Sequence, residues 1–236
     1  MLCKIAELIT EVPEAGGMAP RCRDYLYDGE SEADIVIRED AYTSERYPDY
    51  ATADQVARME AGRQFCVQLL YHNGFYLHSS AVVKDGRAFL FSGRSGIGKT
   101  THTQLWLKEF GSDAVVINDD KPILRYLDGT WYAYGSPWCG KDGINRNMKV
   151  PLAGICFLKQ GQQNRIRRLS DLEALQKILE QTIWKKLAAD RAELLLGHLD
   201  KLITNIPIFE LENRPEPDAV RLSYETMLRT AEEMGL

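Results

Sequence analysis

The sequence predicts an α/β fold built around a phosphate-binding loop. Three neighbouring features indicate this fold: an apolar run at 87–92, a glycine-rich turn at 93–98 and a helical stretch at 101–110. The turn and the residues after it match the pattern G-x-x-x-x-G-K-[ST], which requires a strand before it and a helix after it. A chain of 236 residues suits one substantial domain, or one domain with a small appendage.

The residues of the glycine-rich turn predict a nucleotide site. Backbone N–H groups at the start of a helix attract phosphate, and the helix dipole adds to this attraction. In loops of this pattern the lysine reaches the outer phosphates, and the hydroxyl of the next residue reaches a magnesium ion. We expect the nucleotide to contact Gly93, Ser95, Gly96, Ile97, Gly98, Lys99, Thr100 and Thr101. The alternative to a phosphate site is a glycine-rich turn that only connects to a helix. The apolar run at 87–92, which predicts a strand before the turn, favours the phosphate site.

Composition and charge exclude several classes of protein. The chain is 44% hydrophobic and 27% charged, and its net charge of −5 argues against a protein built mainly to hold nucleic acid. No run of eighteen apolar residues occurs, and the first ten residues do not resemble an export signal. Five scattered cysteines without a C-x-x-C pair predict reduced thiols. We therefore expect a cytoplasmic protein that binds neither nucleic acid nor membrane.

The first 54 residues are predicted to form a small β-rich part. Candidate strands lie at 3–10 and 33–38, and a loop rich in glycine and proline lies at 13–20. Residues 55–236 would then form the main domain, with one continuous domain as the alternative.

Strands and helices alternate along the rest of the chain. Apolar periodicity, capping residues and turn signals predict their bounds. We expect strands at 114–117, 123–126, 130–134, 150–159 and 206–212, and helices at 53–71, 170–184, 188–203 and 218–234.

A hairpin is predicted immediately before the phosphate-binding loop. Asp85-Gly86 is a strong two-residue turn signal between a strand at 76–83 and the apolar run that precedes the loop. In this register His78 lies opposite Gly93, the first glycine of the loop. His78 would then hydrogen-bond a phosphoryl oxygen or the attacking group, and the alternative is a strand histidine satisfied by local partners.

A pair of carboxylates, Asp119 and Asp120, follows the predicted strand at 114–117. Nucleotide sites of this kind need an acid that holds the metal, normally at the end of a neighbouring strand. One carboxylate can coordinate Mg²⁺ while the other accepts a proton from the attacking hydroxyl. Successive side chains of a strand face opposite ways, so the strand must end or bend here. A solvated loop pair or a helix cap is the alternative.

The loop at 135–147 combines glycines, a proline, amides and cations. Such a loop can wrap an anionic ligand and bring a cation to the transferring phosphoryl group. We therefore expect Lys141, Asn145 and Arg146 to contact the substrate. The alternative is an irregular connection in which Trp138 fills the core.

Three of these segments together resemble one family. His78-Ser-Ser-Ala-Val, the loop at 92–101 and Val116-Ile-Asn-Asp-Asp120 resemble the catalytic domain of HPr serine kinase/phosphorylase. The loop is also similar to that of ATP-dependent phosphoenolpyruvate carboxykinase, which shares that fold. Gly143-Ile-Asn145 resembles a fragment of the glycine-rich signature of the HPr enzymes. The resemblance covers about residues 75–160.

The resemblance implies a mixed-sheet P-loop kinase fold with a helical carboxy-terminal part, and a transferase that uses ATP and Mg²⁺. By analogy Asp119 is the base and Asp120, with Thr100, holds the metal, or the two aspartates are reversed. His78 and Lys99 would contact the phosphate being moved. The expected acceptor is a hydroxyl group of a small molecule such as serine, or of a serine in a peptide or protein. The resembling enzymes assemble into larger complexes, so a homo-oligomer is also expected.

The chain also departs from both resembling families. It lacks the large lobe of the carboxykinase, so decarboxylation is not expected. Its first 70 residues do not read as the regulatory domain of the HPr enzymes, and HPr itself is a doubtful acceptor. Two other functions remain as alternatives: a nucleotide-binding regulatory or assembly subunit without turnover, and a phosphorylase or phosphatase acting in reverse. ADP or pyrophosphate also remains an alternative donor.

Overall fold

The computed structural model describes residues 1–43, 47–48 and 50–236. The strands are β1 Leu2–Ile5, β2 Leu8–Glu11, β3 Ile35–Val36, β4 Gly74–Tyr76, β5 Ser79–Lys84, β6 Arg87–Ser92, β7 Ala114–Asp120, β8 Ile123–Leu127, β9 Thr130–Tyr134, β10 Lys149–Gln160, β11 Arg165–Arg168 and β12 Ile208–Asn213. The helices are α1 Met18–Arg21, α2 Ala53–Leu69, α3 Lys99–Phe110, α4 Asp171–Leu179, α5 Ala189–Asn205 and α6 Pro217–Glu233. The protein is therefore a mixed α/β structure.

A mixed sheet of nine strands lies at the centre of the described part of the chain. The long strand β10 pairs in parallel with β6 and β12, and its first residues pair antiparallel with β9. Strand β5 pairs antiparallel with both β6 and β7. Strands β8 and β4 extend the sheet beyond β9, and β11 pairs with β12.

Helices cover both faces of the sheet, so its central strands are buried on both sides. Ala88 and Leu90 of β6 pack in a hydrophobic cluster with residues of α4 and α5. Phe89 and Phe91, which alternate with them, pack on the opposite face with residues of α3 and α6. A strand covered on both faces reads as a continuous apolar run, which is how 87–92 appears in the sequence.

The amino-terminal strands β1, β2 and β3 form a separate three-stranded sheet. Their buried side chains share one hydrophobic cluster with Phe65 and Leu69 of α2 and with Ile123 and Tyr134 of the large sheet. The division of the chain near residue 54 stays a prediction.

Several predicted elements differ from the structure in their bounds. The strand expected at 3–10 is a hairpin, because Ala6 and Glu7 adopt positive φ values of 51° and 66° that neither residue type signals. The strand expected at 33–38 shrinks to β3, and that at 76–83 is interrupted at 77–78 between β4 and β5.

In the carboxy-terminal part, the helix expected at 170–184 ends at Leu179. The last helix begins at Pro217 with Glu216 as its N-cap, so Asp218 lies in its first turn and is not its cap. Strand β11 was not predicted, because three of its four residues are arginines and show no apolar pattern. Within the described residues, no helix combines the length and apolarity that a membrane crossing requires.

Two glycines in 17-residue helices provide a matched test of packing. A Cβ atom at Gly62 of α2 would lie 2.8 Å from Trp138 Cδ1, whereas one at Gly197 of α5 would meet no atom within 4 Å. We expect Gly197→Ala to raise the free energy of unfolding by about 1 kcal/mol, because alanine favours helix. Gly62→Ala should lower it instead, because the Trp138 ring is held by stacking on Phe65.

The measurement is the urea midpoint of each variant at constant m value. Stabilisation by Gly62→Ala equal to that by Gly197→Ala would show that α2 does not pack against Trp138 as described.

Candidate active site

The glycine-rich loop joins β6 to α3 and depends on three glycines for its shape. Gly93, Gly96 and Gly98 have φ values of 139°, 78° and 109°, a region that side-chain-bearing residues rarely adopt. Side chains at Gly96 and Gly98 would meet no atom within 4 Å, so the conformation itself requires glycine there. The loop therefore has the curved backbone that the sequence motif predicts.

Helix α3 presents unpaired donors at its start. The N–H of His102 donates to Gly98 O at 2.9 Å and is the first to reach a carbonyl four residues earlier. The N–H groups of Lys99, Thr100 and Thr101 precede it and have no intrahelical acceptor, as in the first turn of any helix. These donors, at the positive end of the helix dipole, suit a phosphate group.

The ammonium group of Lys99 is folded onto the loop. Its Nζ donates to Gly93 O at 3.1 Å and to Arg94 O at 3.4 Å, and the residue is only 9% exposed. Burial lowers the pKa of Lys99, and the charges of Asp120 and Asp119 raise it in part. The Lys99 ammonium therefore binds backbone carbonyls of the loop in this structure.

Asp119 lies beside the loop and contacts the residue that follows the lysine. The Thr100 hydroxyl donates to Asp119 Oδ2 at 2.8 Å. A hydroxyl and a carboxylate so placed are hard oxygen donors, which are the ligands that Mg²⁺ prefers. The residues present therefore fit a magnesium–nucleotide complex.

Strand β7 bends at Asp120, as predicted from the adjacent carboxylates. Asp120 has a φ of 133°, which strains the backbone of a residue that is not glycine. Its carboxylate is held by His78 Nε2 at 3.2 Å and by Lys121 Nζ at 2.5 Å. Burial raises the pKa of Asp120, but these hydrogen bonds and charges outweigh it and hold the pKa well below its ordinary value. With the strand bent here, both carboxylates line the same cavity.

His78 lies just before β5, beside the loop. The predicted hairpin register is confirmed, because Ser79 pairs with Ser92. The Nδ1 atom of His78 lies 3.0 Å from Gln181 Oε1, and its backbone N–H donates to Gln181 O at 2.9 Å. Gln181 thus orients the imidazole toward Asp120. No sequence signal pointed to Gln181, because it lies far along the chain outside any motif.

One cavity of about 390 Å³ collects most of the predicted site residues. The described lining does not include Gly93 or Ile97, and the Ile97 side chain packs against the hydrophobic cluster that contains Phe89 and Phe91. Gly140 and Asp142, which were not predicted, do line the cavity. The lining residues in the described part of the chain are His78, Ser95, Gly96, Gly98, Lys99, Thr100, Thr101, Asp119, Asp120, Gly140, Lys141 and Asp142.

The loop at 135–147 runs beside β7, and only one of its three expected substrate residues reaches the cavity. Lys141 lines the cavity, whereas the described lining includes neither Asn145 nor Arg146. The Asn145 amide donates within the loop, to Cys139 Sγ at 3.3 Å and Gly143 O at 3.0 Å. Arg146 is exposed, and its backbone N–H donates to Ile117 O of β7 at 2.8 Å. The positions of Asn145 and Arg146 therefore do not support the prediction that these residues contact the substrate.

No protein-family model matches the chain, and no curated protein matches it. Among solved structures, it is similar to the HPr(Ser) kinase/phosphatase from Coxiella burnetii, with 14% sequence identity and a TM-score of 0.38. That likeness covers 66% of this chain and 90% of the other.

The depressed pKa of Asp120 predicts a pH-dependent contribution to stability. A carboxyl with a lower pKa in the folded state stabilises the fold above its unfolded-state pKa of about 3.9, and this contribution is lost as the pH falls below it. We expect the difference in free energy of unfolding between the wild type and Asp120→Asn to shrink as the pH is lowered from about 5 toward and below that value. Urea unfolding without nucleotide or metal measures it.

Asp113→Asn, the same change at an exposed position outside the cavity, controls for the loss of one negative charge. A difference for Asp120→Asn that stays constant or grows below a pH of about 5 would contradict the pairing of Asp120 with His78 and Lys121.

Proposed function

We propose that the protein is an ATP- and Mg²⁺-dependent phosphotransferase that moves a phosphoryl group to a hydroxyl acceptor. The observation that carries the proposal is a single cavity lined by the phosphate-binding loop, the Thr100–Asp119 pair and the His78–Asp120 pair. Phosphoryl transfer requires little covalent chemistry from the protein, since positioning and electrostatic stabilisation supply most of the rate.

The loop side of the cavity would hold the nucleotide. The N–H groups at the start of α3 would bind phosphate oxygens, and the Lys99 ammonium would turn from Gly93 toward them. Thr100 and Asp119 would hold Mg²⁺, which would neutralise charge on the phosphates. Their hydrogen bond supports Asp119 as the metal-holding acid, the reverse of the assignment first drawn from the resemblance.

The opposite side of the cavity would receive the acceptor. The acceptor oxygen forms a bond to the γ-phosphorus while the bond from that phosphorus to the ADP oxygen breaks, and the hydroxyl proton passes to an Asp120 carboxylate oxygen. The low pKa of Asp120 keeps the carboxylate ionised and able to accept a hydrogen bond from the hydroxyl. His78 holds Asp120 in place and lies close enough to the cavity to contact the transferred group.

Removal of the loop cation tests nucleotide binding. Lys99→Ala should weaken the affinity for MgATP by about 10- to 100-fold, because a charge-assisted hydrogen bond to phosphate contributes about 1.5–3 kcal/mol. Lys108→Ala, at an exposed position near the other end of α3, should leave the affinity unchanged. Isothermal calorimetry measures both. Equal affinities for all three proteins would mean that the nucleotide does not bind this loop.

Substitutions of the two aspartates should affect different steps of the reaction. Asp119→Asn should raise the Mg²⁺ concentration that half-saturates nucleotide binding by about tenfold or more, because it removes one charged metal ligand. Asp120→Asn should leave MgATP affinity within about twofold and lower turnover by about 10²- to 10⁴-fold, because it removes the proton acceptor. Calorimetry and release of ADP, with serine and serine-containing peptides as acceptors, separate the two effects.

The opposite pattern, with Mg²⁺ dependence shifted by Asp120→Asn, would reverse the two roles. Binding of MgATP without ADP release across all acceptors would favour a regulatory or assembly subunit.

A further inference from the structure

An arginine of the amino-terminal part reaches the loop that borders the cavity. Arg21 is the last residue of α1, and its guanidinium is half-buried. Its Nη1 atom donates to Cys139 O and to Cys139 Sγ, each at 3.0 Å, and its Nη2 donates to Gly140 O at 3.5 Å. The planar guanidinium fork thus binds two successive residues of one loop.

The residues that Arg21 binds are directly coupled to the carboxylate pair. The Gly140 N–H donates to Asp119 O at 2.6 Å, and Cys139 forms an isolated antiparallel bridge with Asp120. Gly140 itself lines the cavity, followed by Lys141. A shift of the backbone at 139–140 would therefore move one wall of the cavity and the backbone support of Asp119 together.

Two other contacts tie the same loop to the preceding part of the chain. The Trp138 ring stacks on Phe65 of α2, with ring centroids 4.6 Å apart. The Asn147 amide donates to Asp24 O at 3.0 Å. Trp138 and Asn147 lie on either side of the exposed residues 141–143. Of these three contacts, only that of Arg21 is made by a charged side chain, and it is made to Gly140, which lines the cavity.

We propose that Arg21 is a positioning residue of the cavity, which holds the segment 139–142 against β7 in the geometry that phosphoryl transfer needs. The effect on turnover rests on the proposed function, whereas the effect on loop order does not. Arg21 does not line the cavity itself, so its loss should act on turnover through the displaced segment 139–142 and Asp119. The amino-terminal part, which the family resemblance does not cover, then completes the site.

Hydrogen exchange and kinetics of Arg21→Ala test this role in the full chain. We expect amide exchange at 139–143 to accelerate by about tenfold or more while peptides from β6 and α3 keep their wild-type exchange. Turnover should fall by about tenfold or more, since a displacement near 1 Å can cost about 10²-fold. Arg21→Lys should recover only part of the loss, because lysine lacks the fork. Added guanidinium should restore part of the turnover of Arg21→Ala.

Arg23→Ala is the matched control, since Arg23 is an exposed cation two residues further on. Wild-type exchange at 139–143 in Arg21→Ala would overturn the proposal, as would an equal loss of turnover in Arg23→Ala. If Arg21→Ala fails to fold, the same comparison with Arg21→Lys decides, and wild-type behaviour of that variant in both assays would overturn the proposal. Failure of the wild type to bind MgATP would overturn the proposed function, while the exchange comparison still decides the role of Arg21 in loop order.

Discussion

The pairing of β5 between β6 and β7 is the constraint on which the site depends. Both neighbours run antiparallel to β5, so both reach the same edge of the sheet at their carboxyl ends. Ser79, the first residue of β5, pairs with Ser92 on one side and with Asp120 on the other. The glycine-rich loop leaves β6 at this edge, the carboxylates end β7 there, and His78 immediately precedes β5 between them. Three separate segments of sequence are thereby brought to one cavity by backbone hydrogen bonds.

Local preferences are violated at this edge and compensated by specific contacts. Asp120 adopts a positive φ, and Lys99 is nearly buried with its cation on backbone carbonyls. His78 and Lys121 offset the backbone strain at Asp120 by binding its carboxylate. The charges of Asp120 and Asp119 partly offset the cost of burying the Lys99 ammonium. A positive φ at an aspartate and a buried ammonium group are both unfavourable. Such unfavourable features are concentrated at functional sites of proteins. The same contacts preorganise charge at the cavity without a ligand.

Much of this arrangement could be predicted because its signals are local. The turn Asp85-Gly86 sets the β5–β6 register, and the bend at Asp120 follows from adjacent carboxylates at a strand end. Gln181 and Arg21 could not be predicted, since each meets its partner more than a hundred positions away and belongs to no motif. The hairpin turn at Ala6 was also missed, because its residue types do not signal positive φ. Sequence patterns reveal periodicity and turns, whereas side-chain partners across the fold require the tertiary structure.

The proposed function requires the curved backbone between β6 and α3 to bind the phosphates of a nucleotide. A crystal structure with Mg²⁺ and a non-hydrolysable ATP analogue tests it most directly. The account predicts phosphate oxygens within hydrogen-bond distance of the N–H groups of Gly98, Lys99 and Thr100, with the Lys99 ammonium moved from Gly93 O onto a phosphate. A nucleotide bound elsewhere, or a loop that stays unliganded at saturating analogue with Lys99 still on Gly93, would contradict it.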